Sequence, residues 1–469
     1  MMQKTLKINI PEKTTKQLKL QGCKTGRKLV VSTNFLPLFG FEKSTPVVEE
    51  LIAKDKGIRI RLATPNDTKT KKVYSRTYNS RKNNPTEVLL DIRGQALLND
   101  AFPADTNNVY VVFKHGEITI TPIADEKAQA LKKFKRNKNP LSTFLAASSG
   151  VDGYSLSKQG FSIETLLEFR PQEKRDSRDF TETGAINALA NFPVKNLINE
   201  DILNIDIEKV AKLTQGSSHV FFHFSPQCDD FSNVKSNSLK EASLKDNSST
   251  IDMILDGLSL VKKFKFPVLL FENVRGFASS DIGKMTIARL KRLNYTIYDE
   301  VCDARDYGGM TSRVRYYMVA TLLPAQFKMP AKTKRNETPV WGKIQKLIDE
   351  GHFRIPNSTK SLEKGLECKR ARVIRSSSIS IPTVLKSQNR GAKDSIFAID
   401  DNGTIWFPKT QALREFMQID NKFNLEAVGD TIASEIIGQS VEVPMHEAWT
   451  QSVAEHIMDS HNMLNSRLL

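Results

Sequence analysis

A succession of short apolar segments constrains the fold of this chain more than any other feature. Helical patterns separate most of these segments, and each has the length of a buried strand: Phe144–Ala146, Ile163–Leu167, Val220–Phe224 and Val268–Phe271. Strands that alternate with helices pair in parallel and are covered on both faces. The sequence therefore predicts an α/β core with a parallel sheet between residues 141 and 325.

Small or acidic residues follow the first two of these strands. In a parallel sheet the carboxyl ends of the strands meet at one edge, where ligands bind. Residues 147–150 form a turn of small side chains, so backbone can lie against a ligand there. Glu168 follows the second strand, where an acid can bind a ribose diol. A simple connection between a strand and a helix would explain the same turn.

Three further candidates follow other strands. Asp201 can accept a hydrogen bond from an adenine amine or cap the next helix, and both interpretations stay open. Cys228 stands beyond a Ser-Pro break and is either a nucleophile or a small buried residue. Glu272 ends the next strand and is either a general acid or a helix cap.

Two arginines and a polar segment complete the candidate site. Arg313 and Arg315 alternate on a predicted strand and point to one face. Two guanidinium groups there suit a phosphate, a carboxylate or a base carbonyl, and exposed surface charge is the alternative. Residues 233–250 are polar and rich in serine, and they predict a mobile loop after Cys228.

Composition limits the class of protein. The 469 residues exceed one ordinary core, and 39% hydrophobic content with 26% charged residues is that of a soluble globular protein. No segment approaches the length of a membrane span, and the first residues lack an apolar leader. The four cysteines form no CxxC pair, so the sequence suggests neither disulfides nor a metal site. A reducing cytoplasm fits this pattern and keeps a nucleophilic thiol free.

The net charge of +16 indicates a polyanionic partner. Residues 1–140 hold 27 Lys and Arg against 13 Asp and Glu, and residues 325–380 hold 13 against 5. Two basic regions around a less basic middle suggest nucleic-acid contacts that flank a catalytic core. A lysine-rich solvated surface is the alternative.

The amino-terminal part contains a repeat. Residues 26–63 and 86–123 each read as a strand, a short apolar segment and a hairpin with a Gly turn. A repeated unit of this kind needs its partner to close a core. The pattern is similar to the swapped-hairpin barrel of transition-state-regulator DNA-binding proteins of the AbrB/SymE type. Residues 69–84 mix basic residues with two tyrosines and read equally as a nucleic-acid contact or a disordered loop.

The order of the pieces resembles the motif series of the cytosine-5 DNA methyltransferases over residues 141–325 and 400–460. SPQCDDFS resembles the PPCxxFS loop of that family, FENV its ENV motif and TSRVR its QxRxR motif. FLAASSGVDG resembles the FxGxGG cofactor loop, FPKTQALREFMQI the motif before the carboxyl-terminal helix, and EIIGQSVEVPM the IGNxVxVP motif. The chain departs from these motifs at Ala147 and Ser149 (for Gly), Gln227 (for Pro), Thr311 (for Gln) and Gln439 (for Asn). Ala or Ser in place of Gly narrows backbone freedom, so cofactor affinity is the property most affected.

The resemblance implies a Rossmann-like class I methyltransferase sheet with S-adenosylmethionine as the cofactor and no metal. It implies a nucleophile and acid at Cys228 and Glu272, and an arginine pair at Arg313 and Arg315. The implied cofactor-binding residues are Leu145, Ala147, Ser149, Gly150, Glu168, Asp201, Ile202, Pro226, Gln439, Ser440 and Val441.

The implied reaction is methylation of carbon 5 of cytosine in duplex DNA by a monomer. A thiolate that adds to carbon 6 makes carbon 5 nucleophilic, Glu272 protonates ring nitrogen 3, and the cytosine must be flipped out of the stack. Asp229 and Asp230 beside the nucleophile oppose thiolate formation, so the free thiol is expected to keep its proton. Two alternatives remain: a catalytically silent DNA-binding regulator of the same fold, and a tRNA cytosine-5 methyltransferase. An active enzyme would be an orphan or restriction-associated modification methyltransferase.

Five divisions of the chain follow from these patterns. They are a β-rich domain expected to bind DNA (1–125), a basic linker (126–140), the catalytic core (141–325), a target-recognition region with a short recognition site (326–395), and a part that completes the core (396–469).

Overall fold

The structure is a computed structural model that describes residues 9–24, 26–82, 85–173, 176–232, 235–357, 359–369, 371–391 and 394–466. Contacts within the chain divide it into two compact units, Met1–Gln129 and Ala130–Leu469. No helix among the described residues has the length and apolar character needed to cross a membrane.

The first unit is β-rich and contains two short helices, α1 (Phe35–Leu38) and α2 (Gln95–Ala101). Its described strands are β1 (Thr14–Lys19), β2 (Gln21–Cys23), β3 (Gly26–Ser32), β4 (Pro46–Ala53), β5 (Gly57–Leu62), β6 (Lys71–Lys72), β7 (Tyr74–Thr77), β8 (Thr86–Ile92), β9 (Asn108–Lys114) and β10 (Glu117–Ile123). They form one sheet in the order β1-β9-β10-β5-β4-β6 and a second in the order β2-β3-β8-β7.

The two repeats fold alike and pair with each other. The first gives β3, α1, β4 and β5, and the second gives β8, α2, β9 and β10. β3 pairs antiparallel with β8, and β5 pairs antiparallel with β10, around one shared apolar core. The hairpin turns use Gly57 at φ +117° and Gly116 at φ +73°, conformations that favour glycine. Each repeat therefore supplies half of a core that it cannot close alone.

The basic segment between the repeats is ordered where it is described. β6 and β7 lie within it, so a disordered loop is the wrong interpretation for residues 71–77. Lys72, Tyr74 and Arg76 alternate and are all exposed. Asn83 and Asn84, the last residues of the segment, lie outside the described residues.

The division between the units falls inside α3 (Glu126–Arg136). Phe134 on this helix is fully buried in the core of the second unit. The stretch that the sequence suggests as a linker is thus partly helical and packed.

A seven-stranded sheet forms the centre of the second unit and confirms the predicted Rossmann-like class. Its order is β13-β12-β11-β14-β15-β17-β16, and β17 is antiparallel to both of its neighbours. The strands are β11 (Ser142–Ala146), β12 (Ser162–Leu167), β13 (Asn196–Ile198), β14 (Phe221–Phe224), β15 (Val268–Val274), β16 (Thr296–Asp303) and β17 (Val314–Thr321). Most of these strand residues are buried, as a sheet covered on both faces requires.

Helices cover both faces of this sheet. Those before the small domain are α4 (Val151–Lys158), α5 (Thr183–Leu189), α6 (Ile207–Leu213), α7 (Asn237–Lys245), α8 (Met253–Phe264), α9 (Arg275–Ser279) and α10 (Asp281–Arg292). The predicted mobile loop at 233–250 is wrong in part, because α7 lies inside it, capped by Ser236. The predicted end of β15 at Phe271 is also too early, because pairing with β17 continues to Val274.

A small four-stranded sheet follows in the order β18-β21-β20-β19. Its strands are β18 (Phe353–Arg354), β19 (Arg372–Ile374), β20 (Ile396–Ile399) and β21 (Ile405–Pro408), and the helices around it are α11 (Trp341–Asp349), α12 (Lys360–Glu367), α13 (Thr410–Phe416) and α14 (Asp430–Gln439). The small sheet therefore takes in residues 396–408, beyond the end expected for the recognition region. The long helix α15 (Val443–Ser466) returns to the large sheet, where Trp449 is fully buried.

Candidate active site

One large cavity lies at the carboxyl edge of the seven-stranded sheet. Its volume is about 880 Å³, within the range of ligand pockets. The loops after β11, β12, β14 and β15 line it, together with the start of β17, residues 382–387 and the end of α14. Most of the predicted site residues line this cavity: Ala147, Ser149, Glu168, Asp201, Ile202, Pro226, Cys228, Glu272, Arg313, Arg315, Gln439, Ser440 and Val441.

Leu145 and Gly150 do not line the cavity. Leu145 is fully buried in the core beneath the cofactor loop. Gly150 turns the chain at φ +119°, and a Cβ at this position would lie 3.2 Å from Asn187 Nδ2. Both residues support the loop from below.

The loop that carries Cys228 is held by two hydrogen bonds from its surroundings. Asn273 Nδ2 donates to the Pro226 carbonyl oxygen at 2.9 Å. The backbone N–H of Gln227 donates to the sulfur of Met253 at 3.4 Å. A proline at 227, as in the family motif, would have no N–H to donate. The departure at this position therefore adds a contact.

Asp230 anchors the segment that carries α7. Lys235 Nζ donates to its carboxylate at 2.6 Å, and the backbone N–H of Thr250 donates at 2.9 Å. Asp230 thus binds residues before and after α7, and it lies only two residues beyond Cys228. The buried Asp230 is occupied by these contacts rather than facing the thiol.

The environment of Cys228 favours the neutral thiol. Burial raises the pKa of the thiol above its ordinary value, and the charges of Asp229 and Glu272 raise it further. Arg315 and Arg313 act in the opposite direction without reversing the shift. This agrees with the expectation that the free thiol keeps its proton, with burial as the larger cause.

Glu272 and Arg315 form an ion pair on neighbouring antiparallel strands. Arg315 Nε lies 3.0 Å from Glu272 Oε1, and both side chains are nearly buried. A desolvated carboxylate needs such a partner. The carboxyl group and the guanidinium group therefore face the cavity together, beside Cys228.

Arg313 is occupied by backbone carbonyl groups. Its guanidinium donates to Val384 O at 2.9 Å and to Ser440 O at 2.6 Å, with longer contacts to Gly438 O and Gln439 O. The side chain is 1% exposed. Arg313 therefore joins the start of β17 to the small domain and to the end of α14. Arg315, by contrast, is the arginine that pairs with the carboxyl group of Glu272.

A second buried contact in this region was not predicted. The backbone N–H of Thr311 donates to Glu442 Oε1 at 3.1 Å, and its hydroxyl donates to Glu442 Oε2. Burial raises the pKa of Glu442 to about 7, although Thr311 and Arg313 lower it. Thr311 stands where the family motif has Gln, and Glu442 occupies an unspecified position of the IGNxVxVP-like segment, so the contact joins the two motif segments.

The cofactor loop adopts a strained turn. Ala147 has φ +57°, a left-handed conformation that costs a non-glycine residue about 1–2 kcal/mol. The hydroxyl of Ser148 donates to Asp152 Oδ1, and the Gly153 N–H donates to the same oxygen at 2.9 Å. The turn is thus held by contacts to the start of α4, and glycine at 147 would relieve its strain.

Glu168 is a buried carboxyl group in the wall of the cavity. Burial raises its pKa to about 8, and the nearby Asp152 raises it further. A Cβ on Gly184 would lie 2.2 Å from Glu168 Oε1, so α5 can pass over the carboxyl group only with glycine at that position. The carboxyl group lies where hydroxyl donors of a ligand in the cavity can reach it.

Asp201 serves as a cap in the structure. Its carboxylate accepts from the Leu203 N–H at 3.1 Å, at the start of a short 3₁₀ helix over Ile202–Asn204. This is the capping alternative, and Asp201 also lines the cavity. The two roles left open by the sequence are therefore compatible.

Charged residues at one side of the cavity were not predicted. Arg170 lies 2.7 Å from Asp176 and 3.3 Å from Glu435, all strongly buried. Lys386, on the loop of the small domain, lies 2.7 Å from Glu173. The contacts of Arg170 with Glu435 and of Lys386 with Glu173 each span more than 200 residues, so no local sequence pattern predicts them.

Among the described residues, no group of three or more His, Cys, Asp or Glu side chains could hold a metal ion.

Comparisons with known proteins relate part of the chain to cytosine-5 methyltransferases. Residues 181–391 match the family model of the C-5 cytosine-specific DNA methylases. Over 141 residues the chain is 27% identical to a tRNA (cytosine(38)-C(5))-methyltransferase of Bos taurus, covering 30% of this chain and 34% of the relative. Over 95 residues it is 30% identical to the type II methyltransferase M.BsuFI of Bacillus subtilis, covering 19% of this chain and 23% of the relative. These matches span about a third or less of the curated relatives.

The fold comparison extends further along the chain. The crystal structure of the S. pombe Dnmt2 methyltransferase matches with a TM-score of 0.50 at 13% identity, covering 68% of this chain and 99% of that one. At this level of identity the match shows the fold alone. The sequence comparisons show that residues 181–391 of this chain match a C-5 cytosine-specific DNA methylase domain.

Proposed function

We propose that the protein transfers a methyl group from S-adenosylmethionine to carbon 5 of cytosine in duplex DNA, through a covalent adduct of Cys228 with a flipped base. The observation that carries this proposal is the convergence of Cys228 and the Glu272–Arg315 pair in one cavity with the buried Glu168. A nucleophile, an acid with its partner and a cofactor-side carboxyl group are the parts that the reaction needs.

The residues present divide the chemistry between them. Cys228 gives up its thiol proton and adds to carbon 6, and the Glu272 carboxylate can accept that proton and pass it to ring nitrogen 3. Arg315 compensates the charge of Glu272 and is placed to contact the cytosine carbonyl. After methylation a base takes the carbon-5 proton, and the electron pair of that C–H bond restores the ring double bond as Cys228 is expelled. Ring nitrogen 3 returns its proton to Glu272. Of the two protons released, one restores the Cys228 thiol and the other goes to solvent.

The cavity fits S-adenosylmethionine, which supplies the electrophilic methyl group when bound. Glu168 would bind the ribose hydroxyls, and Asp201 would accept from the adenine amine while keeping its cap. Because the side chains of Ser148 and Ser149 are small, the backbone of this turn can lie close to the ligand. The strain at Ala147 is the one feature of the loop that disfavours this conformation.

The choice of duplex DNA over tRNA rests on charge and on the additional amino-terminal unit. The relatives include both a tRNA methyltransferase and a type II methyltransferase, so transfer to tRNA is the second candidate. Competition between duplex DNA and tRNA for tritiated methyl groups decides between them. Bisulfite sequencing of DNA from cells that express the protein would then report the recognition site, and genomic context would show whether it acts alone or with a restriction enzyme.

Replacement of Cys228 by Ser is expected to lower methyl transfer at least about a thousandfold, because a hydroxyl group is a far weaker nucleophile than a thiolate. The measurement is transfer of tritiated methyl groups to duplex DNA. The matched control is Cys368→Ser, which replaces an exposed thiol. Full activity of the Cys228 variant would overturn the covalent mechanism.

Alkylation of Cys228 in the free protein is expected to speed up only above the ordinary pKa range of a thiol. Burial and acidic neighbours raise the pKa, so the thiol stays protonated at neutral pH. Iodoacetamide labelling followed by peptide mass spectrometry measures this. The pH at which the labelling rate is half-maximal should be lower in Asp229→Asn and higher in Arg315→Gln. A half-maximal pH below 7 in the wild type would contradict a protonated resting thiol.

Replacement of Ala147 by Gly is expected to raise the free energy of unfolding by about 1 kcal/mol, because glycine adopts the left-handed turn without strain. Ala146→Gly is the control, since it removes a buried methyl group from β11 and should destabilise. Chemical denaturation measures both.

The alternative of a catalytically silent DNA-binding regulator is tested by calorimetry of the wild-type protein with S-adenosylmethionine. Measurable binding of S-adenosylmethionine would contradict that alternative.

The first unit is proposed to bind duplex DNA through Lys72, Tyr74 and Arg76, which are exposed at alternate positions on β6 and β7. Replacing all three by Ala should weaken binding of the full chain about tenfold and flatten its salt dependence. Lys54→Ala with Lys56→Ala, in the exposed turn between β4 and β5, is the control. Equal binding by both variants would remove this role.

A further inference from the structure

A cluster of titratable side chains that the proposed reaction does not use lies beneath the active site. His223 from β14, Tyr317 from β17 and His446 from α15 are 0% exposed, and Asp152 from α4 is 6% exposed. They lie on the face of the seven-stranded sheet that α4 and α15 cover. Most of their neighbours in this layer are apolar or aromatic. Titratable groups act on both ends of the row: Glu168 lies near Asp152, and Glu272, Cys302, Arg313 and Arg315 lie near Tyr317.

The four side chains form a continuous row. Asp152 Oδ2 lies 3.5 Å from His223 Nδ1. The rings of His223 and His446 meet edge to face with centroids 5.0 Å apart, and the Tyr317 ring lies 6.2 Å from that of His446. Tyr317 is the direct cross-strand partner of Glu272, so the two side chains project from the same face of the sheet. The row therefore leads from the catalytic carboxyl group to the carboxyl group beneath the cofactor loop.

The polar atoms of the three ring side chains in this row lack hydrogen-bond partners among the residues that the structure describes. Neither ring nitrogen of His223 or of His446 has a hydrogen-bond partner in the described parts of the chain, and the same is true of the Tyr317 hydroxyl. A buried polar atom left unpaired is destabilising, so apolar side chains would stabilise this layer better. Buried polar atoms are commonly joined by ordered water. Packing alone therefore does not explain five such atoms on three neighbouring rings.

The charge states suit proton exchange. Burial lowers the pKa of His223 to about 4, against the influence of Glu272, and burial together with the charge of His223 holds the pKa of His446 well below its ordinary value. Both rings are therefore neutral at pH 7, and a neutral imidazole has one donor and one acceptor nitrogen. Burial raises the pKa of Asp152 to about 6, although Ser148 lowers it.

Other charges act on the middle of the row. Burial raises the pKa of Tyr317 far above its ordinary value, and the charges of Glu272 and of Cys302 add to the shift. Arg315 and Arg313 oppose it. The Tyr317 hydroxyl thus stays protonated and can donate and accept at once.

We propose that Tyr317, His446 and His223, joined by ordered water, form a proton relay through which Glu272 exchanges its proton with Asp152. The relay rests on the proposed methyl transfer, because it serves Glu272 while a base fills the cavity and shuts out solvent on that side. Each hop breaks one O–H or N–H bond and makes another, so no electrons are gained or lost. A proton that Glu272 recovers from ring nitrogen 3 after methyl transfer passes along the row to Asp152, which lines the cofactor side of the cavity, and from there to solvent. The three relay residues act through Glu272 and do not touch the substrate.

The test compares two buried tyrosines on adjacent positions of β17. Tyr317→Phe removes the hydroxyl of the relay, and Tyr316→Phe removes a buried hydroxyl that donates to Asp299 at 2.9 Å on the opposite face of the sheet. The measurement is single-turnover methyl transfer from about pH 6 to about pH 9. Tyr317→Phe is expected to slow transfer about tenfold or more and to shift the pH profile, with unchanged dissociation constants for S-adenosylmethionine and DNA. Tyr316→Phe is expected to keep the wild-type rate and profile.

His446→Phe provides a second test, in which the stability of the protein and the rate of methyl transfer are expected to change in opposite directions. A ring without nitrogens fits the same space, so a purely structural role predicts a more stable protein with the wild-type rate, whereas the relay predicts a slow enzyme that is at least as stable. If His446→Phe fails to fold, Tyr317→Phe decides, since it removes one unpartnered oxygen. Wild-type rates for Tyr317→Phe at every pH would overturn the relay and leave the proposed function standing. A wild-type protein that methylates neither DNA nor tRNA would overturn the proposed function itself.

Discussion

The rest of the second unit depends on the hydrogen bonds between the fully buried guanidinium of Arg313 and backbone carbonyl oxygens. This guanidinium binds carbonyl oxygens of Val384 and of residues 438–440, which belong to segments far apart in sequence. A buried guanidinium without such partners would be strongly destabilising. Because the charge must be satisfied, the start of β17, the small-domain loop and the end of α14 are held in one arrangement. Residues of all three segments line the cavity.

The electrostatics of the site follow from the burial of its titratable groups. Burial keeps the Cys228 thiol neutral and brings Glu272 and Arg315 together as a pair. A site built in this way does not hold a reactive thiolate at rest, so it is protected from oxidation and stray alkylation. Its chemistry depends on moving protons between groups that are already in place. The buried row from Tyr317 to Asp152 is consistent with that requirement.

Periodicity and motif order were sufficient to predict the sheet and the residues at its carboxyl edge, because both depend on local patterns. The alternation of strands and helices placed Glu168, Cys228 and Glu272 at or just beyond the carboxyl ends of three strands, and all three line one cavity. The partners of these residues could not be predicted in the same way. The contact of Thr311 with Glu442 spans 131 residues, and the role of Arg313 depends on carbonyl groups, which leave no trace in side-chain identity. α7 was missed because its serine-rich composition is typical of loops and only Ser243 of its residues is buried.

The pairing of the two amino-terminal repeats has a consequence for assembly. A core shared by two separate chains falls apart on dilution, whereas here residues 63–85 tether the halves and make their association intramolecular. The association of the two halves therefore does not require a second chain. Because both halves lie on one chain, they need not be identical, and each can carry different exposed side chains around the same shared core.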